Sequence, residues 1–159
     1  MKKVLVTDNL HEAGAEALQQ EGLDVVVIPT LPADKLRNQI ADCQGLVVRS
    51  ATKVTAELLE AGKNLVVVGR AGAGVDNVDV EAASQRGIIV MNTPGANTIA
   101  VAEHTIGLIL AMARKLPQAH GALKGGRWEK ERFAGVELYN KVLGIVGLGR
   151  IGSEVARRA

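Results

Sequence analysis

Five short runs dominate the first part of the chain: VLVT at 4–7, DVVVI at 24–28, GLVV at 45–48, NLVVVG at 64–69 and IIVM at 88–91. A strand with one face in water alternates apolar and polar residues. These runs barely alternate, so both faces of each strand must be covered. Such a sheet is parallel, because the helices that cover it are also the crossovers between its strands. The intervening stretches supply them. Glu12 to Glu21 is a helix closed by Gly22, and Asp34 to Ala41 is a second. Thr55 to Ala61 is a third with Gly62 just past its end, and Val80 to Gln85 is a fourth ended by Arg86-Gly87. Five strands and their helices within 92 residues define an α/β unit, a flavodoxin-like parallel sheet.

Composition narrows the rest. The apolar fraction is 47% of 159 residues, but there is one Phe, one Trp and one Tyr, so the core is aliphatic. With 19 basic against 17 acidic side chains and no basic block, nothing supports a nucleic-acid partner. The single cysteine, Cys43, cannot form an internal disulfide, which fits a reducing compartment. Its plainest reading is a small buried apolar residue rather than a nucleophile. His11, His104 and His120 are scattered, and no His/Cys/acid spacing suits a metal. The N-terminus has too short an apolar run for a signal peptide, and the apolar stretch Ile99 to Ala113 is interrupted by Glu103 and His104. A cytoplasmic protein without a membrane span is expected.

Past Asn92-Thr93-Pro94-Gly95 the rhythm changes. The sequence predicts a long helix over 98–116, ended by Pro117, whose apolar residues run almost all the way round. Such a helix needs cover on more than one side, from a partner subunit or a second domain. Residues 121–140 form a Gly-rich, charged segment that holds Trp128, Phe133 and Tyr139. Val142 to Val146 then reads as a strand, followed by GLGRIG at 147–152 and a helix over 151–159. The expected division is a first domain over 1–94 and a second over 95–159.

Four segments can carry chemistry. Arg49-Ser50-Ala51-Thr52-Lys53 leaves the carboxyl end of the third strand, where open α/β sheets bind ligands. An Arg with a Lys four residues on suits an anion, because a guanidinium can bond two of its oxygens at once; solvated surface charge is the plainer alternative. Arg70-Ala71-Gly72-Ala73-Gly74-Val75 leaves the fourth strand, and its glycines allow successive amides to converge on an anion, or simply make a tight turn. Asn97 or Thr98 can cap the long helix, whose N-terminus also favours negative charge. In GLGRIG, Gly147 suits a tight turn, Gly149 close approach of a pyrophosphate, and Gly152 close helix packing, or the three make an ordinary strand–helix turn.

Together RSATKVT (49–55), VVGRAGAGVDNVD (67–79), VMNTPGANTIAVAEHT (90–105), GRWEK (126–130) and LGIVGLGRIG (143–152) resemble the D-2-hydroxyacid dehydrogenase family from the first residue to the last. The closest likeness is to the branch that oxidises 3-phospho-D-glycerate with NAD in serine synthesis. The resemblance implies a substrate domain followed by the start of a Rossmann dinucleotide domain. It implies substrate phosphate at Arg49, Ser50 and Lys53 with Asn97 nearby, and substrate carboxylate on the backbone of Gly72, Ala73, Gly74 and Val75. NAD would meet Ala73, Gly147, Gly149, Arg150, Ile151 and Gly152. Position 73 is Ala where relatives often carry Thr, which removes a hydroxyl. The 98–116 helix and the region around Trp128 would join two subunits.

The family's catalytic Arg and His–Glu pair find no counterpart, and the resemblance puts them beyond position 159. The chain is therefore expected to be an inactive N-terminal portion of such an enzyme. Two other readings stay open: a different 2-hydroxyacid dehydrogenase, such as a glyoxylate or hydroxypyruvate reductase, and a non-catalytic anion-binding or dimerisation module.

Overall fold

A computed structural model describes all residues 1–159. The chain forms two compact units, Met1–Ala96 and Asn97–Ala159.

The first unit alternates strand and helix throughout: β1 (Lys3–Val6), α1 (Glu12–Gln20), β2 (Asp24–Val27), α2 (Ala33–Ile40), β3 (Gly45–Val48), α3 (Ala56–Ala61), β4 (Val67–Arg70), α4 (Val80–Gln85) and β5 (Ile89–Asn92). All five strands are parallel, in the order β2-β1-β3-β4-β5. This is a flavodoxin-type order, and it agrees with the parallel α/β sheet inferred from the unbroken apolar runs. Strand alternation sorts the side chains into two layers. Leu5, Leu46, Val48 and Val68 face the main core, where Leu36 and Ile40 of α2, Leu58 and Leu59 of α3 and Ala83 of α4 pack on them. The opposite layer (Val4, Val47, Val67, Gly69, Met91) lines an apolar groove of about 330 Å³ beside Leu18 of α1. Over β5 that face stays open: Ile89 is 62% and Met91 58% exposed.

The helix ends follow their local chemistry. Thr55 accepts from the Leu58 amide and Asp79 from the Ala82 amide, each satisfying one donor of a first turn. Gly22 and Gly87 stand at φ +76° and +68°, the left-handed conformation that closes α1 and α4. Cys43 is fully buried, with its Sγ–H donated to the Gln39 carbonyl, and burial pushes the thiol pKa up; it is a packing residue. The fourth strand starts later than the apolar run from Asn64 suggests. Leu65 drops into the core, and the amides of Val66 and Val67 both reach the Gln44 carbonyl before the ladder with β3 begins.

The second unit holds α5 (Thr98–Ala113), α6 (Leu116–Lys124), a short 3-10 turn (Lys130–Phe133) and α7 (Arg150–Arg158). Here the structure corrects three expectations. The long helix stops at Ala113, because Lys115 turns left-handed at φ +52°; Pro117 does not end that helix but sits in the first turn of α6. A first-turn proline has no intrahelical hydrogen bond to lose, so it starts a helix as readily as it ends one. Asn97 stands at the N-cap of α5, yet its side chain accepts no capping bond. Val142 to Val146 is not a strand: Val142 and Val146 are 98% and 105% exposed, and no chain pairs with them. An apolar run is a strand only where a neighbour completes its ladder. On α5 only Ala102 is buried, while Leu108 and Met112 are 57% and 77% exposed. No helix is long and apolar enough to cross a membrane.

Candidate functional site

The order β2-β1-β3-β4-β5 reverses direction between β1 and β3. Chains leaving those two carboxyl ends part to opposite sides and open a crevice. The residue at the crevice floor is Asp8, which the sequence reading did not single out. It is 6% exposed and holds φ +65°. One carboxylate oxygen accepts the hydroxyls of Thr7 (3.0 Å), Thr30 (2.9 Å) and Thr52 (2.5 Å). The other accepts the amides of Arg49 and Thr52, each at 2.9 Å. Burial alone raises the carboxyl pKa, but the bonds from Thr52, Arg49 and Thr30 outweigh it and hold it at about 2. Asp8 thus ties the segments after β1, β2 and β3 to one point.

Fixed by these bonds, the 49–53 loop presents Arg49, Ser50 and Lys53 outward, all three exposed. Neither Arg49 nor Lys53 is in an ion pair. Ser50 and Lys53 line a shallow cleft of about 410 Å³, faced across it by Asp76 and Asp79. Asn77 joins this loop to the next one. Its side-chain amide donates to the carbonyls of Arg49 and Thr52, both at 2.7 Å, beside a single bridge between Val54 and Val78.

The loop after β4 lies alongside. The Arg70 guanidinium folds beneath it, donating to the Gly74 carbonyl at 2.7 Å and pairing with Asp76 at 3.3 Å. The Asn92 side chain donates to the Ala73 carbonyl at 2.7 Å, and the Thr93 amide to the Gly72 carbonyl at 3.0 Å. A Cβ at Gly72 would lie 3.0 Å from the Arg70 guanidinium, so a larger residue there would have to shift that side chain. The first unit therefore brings Arg49, Ser50, Lys53 and residues 72–75 to one edge of the sheet.

The other proposed positions lie in the second unit. Gly147 adopts φ +94°, and a Cβ built on Gly152 would overlap the Gly147 carbonyl oxygen, whereas around Gly149 there is open space. The three glycines thus divide into a turn, an approach and a packing position. Gly149 is the N-cap of α7, and the first amide bonded back within that turn is Ser153, so those of Arg150, Ile151 and Gly152 face outward. Glu154 is engaged by Arg157 and Arg158, which lower its pKa. Replacing Gly152 by Ala is expected to destabilise the second unit by about 1–3 kcal/mol, because backbone must move to admit the methyl group. Gly149→Ala, which meets no clash, should cost only the N-cap preference for Gly over Ala, about 0.5 kcal/mol. Amide exchange in α7 measures both, and equal effects would refute the division of roles.

Chemically the first-unit edge can hold anions: two free cations on one loop and unoccupied amides on the other. It offers no proton relay. No group of three or more His, Cys, Asp or Glu is placed to hold a metal, and none of the three histidines is hydrogen-bonded to a carboxylate. The signal for Asp8 was a polar pair, Thr7-Asp8, directly after the first apolar run, the place where a parallel sheet opens to ligands. Asn77 and Asn92 carried no such signal, since their roles depend on contacts between loops far apart in the chain.

Residues 4–156 match the family described as D-isomer specific 2-hydroxyacid dehydrogenase, catalytic domain, and the chain belongs to that family. Within it, the chain is 54% identical over 158 residues to D-3-phosphoglycerate dehydrogenase of Sus scrofa, covering 99% of this chain and 30% of that protein. The enzyme of the same name from Methanocaldococcus jannaschii is 54% identical over 159 residues, again 30% of its length. The chain thus spans about a third of the curated relatives it matches. Among solved structures, the TT0316 protein of Thermus thermophilus superposes with a TM-score of 0.90 at 37% identity, covering 98% of this chain and 52% of that one. The NAD+-bound 3-phosphoglycerate dehydrogenase of Entamoeba histolytica gives 0.78 at 35% identity, covering 99% and 50%. These likenesses agree with the α/β fold and the family read from the motifs.

Proposed function

We propose that this chain provides the substrate-binding part, and the start of the dinucleotide-binding part, of an NAD-dependent enzyme that oxidises 3-phospho-D-glycerate to 3-phosphohydroxypyruvate, the first step of serine synthesis. The observation that carries this reading is the pair of unpaired cations, Arg49 and Lys53, at the sheet's switch point. The identity with D-3-phosphoglycerate dehydrogenases supports it. Arg49 and Lys53, with the Ser50 hydroxyl, hold the substrate phosphate, and the 72–75 backbone holds the carboxylate. Asn97, in the second unit, is assigned to the substrate by resemblance alone.

The glycine loop fits a dinucleotide: turn at Gly147, open approach at Gly149, outward amides at Arg150, Ile151 and Gly152. Ala73 offers the cofactor backbone and a methyl group. When bound, NAD supplies the hydride acceptor. Proton transfer requires an acid–base group in reach of the substrate hydroxyl, and the family's His–Glu pair has no counterpart matched in residues 1–159, so this portion alone is expected to turn over no substrate. The exposed side of α5 and the Trp128 region, with Trp128 79% exposed, is assigned to a homo-oligomer contact.

The test is a titration of the isotope-labelled chain followed at its amides. 3-Phosphoglycerate should shift Arg49 and Lys53 strongly, and glycerate should not. Arg49→Ala should weaken 3-phosphoglycerate binding about 10–100-fold, the loss of a charge-assisted, two-point contact. Equal affinity for both ligands would favour a glyoxylate or hydroxypyruvate reductase. That reading draws on the NADPH-dependent glyoxylate/hydroxypyruvate reductase of Sinorhizobium meliloti, which superposes with a TM-score of 0.82 at 35% identity.

A further inference from the structure

The 72–75 loop is held in an unusual way. Three successive carbonyls are each taken by a donor from the body of the unit: Gly72 by the Thr93 amide, Ala73 by the Asn92 side chain, Gly74 by Arg70. A trans peptide is planar, and its C=O and N–H point in opposite directions. Fixing those carbonyls inward therefore aims the amides of Ala73, Gly74 and Val75 outward. None of the three donates to any acceptor in the chain. Three adjacent free donors on exposed backbone form a receptor for a carboxylate, whose two oxygens accept only.

Two of the pins are side chains. Asn92 ends the edge strand β5, and the one hydrogen bond its side chain makes is the one to the Ala73 carbonyl. Arg70 is 11% exposed at its side chain and clamped by Asp76, and its Nε is buried without a partner. A buried donor left unsatisfied is a cost, and what the placement secures is the bond to Gly74.

We propose that Asn92 and Arg70 are positioning residues, which make the 73–75 amides a preformed carboxylate receptor by turning the preceding carbonyls away from the ligand. The inference rests on the reading of this loop as the carboxylate site. Its consequence is that affinity for the carboxylate end of the substrate depends on two side chains that never touch it.

Amide spectra of the full 159-residue chain test it, with glycerate and inorganic phosphate as separate probes. In the unmodified chain glycerate should shift Gly74 and Val75. In Asn92→Ala it should bind roughly 3–10-fold more weakly, the worth of one hydrogen bond, while phosphate shifts at Arg49 and Lys53 and the melting temperature stay unchanged. A role confined to stability would move the melt and both ligands together. Unchanged glycerate affinity in Asn92→Ala overturns the proposal. Should Asn92→Ala not fold, Arg70→Lys, which keeps the charge but loses the planar two-point donor, must show the same selective loss. A ligand-free measurement separates this proposal from the reading beneath it. Without its pin the Ala73–Gly74 peptide is free to rotate, so the heteronuclear NOE of Gly74 should fall in Asn92→Ala. If glycerate shifts nothing but that NOE falls, the carboxylate reading fails and the pin stands; an unchanged NOE refutes the pin itself.

Discussion

Replacing Asp8 by Ala is expected to cost the first unit about 3–5 kcal/mol, more than most single core truncations. The substitution leaves three hydroxyls and two amides without their shared acceptor. The hydroxyls can turn elsewhere, but the amides of Arg49 and Thr52 are fixed in direction, and Thr52 is 4% exposed. Amide exchange at Leu46, in the middle of β3, reports the unfolding of this unit; a loss below about 1 kcal/mol would rule out Asp8 as its anchor. The carboxyl also makes stability depend on pH. Its pKa falls from 3.8 to about 2 on folding, a depressed value, so the folded state is favoured wherever the group is ionised. That contribution, about 2 kcal/mol, is complete above about pH 4 and vanishes as pH falls through about 2. Asp8→Asn should flatten the acid limb of the stability profile.

The second large effect concerns α5. Leu108 and Met112 lie one turn apart on the same side of the helix, 57% and 77% exposed, and a subunit contact there would bury both. In a two-fold dimer every substitution is counted twice. Each buried side chain of this size contributes about 2 kcal/mol, so Leu108→Lys with Met112→Lys removes roughly 8 kcal/mol before the cost of burying charge. A loss of at least about 10³-fold in the dimerisation constant is expected, even if only half of that is realised. Sedimentation over a range of concentrations measures it. If the unmodified chain stays monomeric at high concentration, or the doubly substituted chain still dimerises, α5 is not the contact.

The sequence is most legible where one physical cause acts alone. Unbroken runs such as VLVT and GLVV report burial on two faces, and the direction of the strands follows from that, although the edge run IIVM leaves Ile89 and Met91 exposed. Gly147 and Gly152 are legible for the same reason, since a glycine required by φ or by close packing has no substitute. Legibility fails where the cause is a relation between distant parts. Val142 to Val146 has the composition of a strand, but a ladder is a property of two chains, and the second is not there. Pro117 is compatible with a helix end and a helix start alike, and only the left-handed turn at Lys115 decides. Arg49 and Lys53 are readable as candidate anion ligands because a charge after a strand is visible in one dimension. Asp8 follows its strand as visibly as Arg49 does, but Asn77 and Asn92 serve those loops from 28 and 19 residues away. No local pattern marks such distances.

The open side of the sheet has a consequence of its own. With α1 on one flank and Ile89 and Met91 facing water, this unit completes its hydrogen-bonded ladder with apolar surface still bare. Bare apolar surface of that kind attracts other greasy surfaces, so clumping of the chain should rise with concentration.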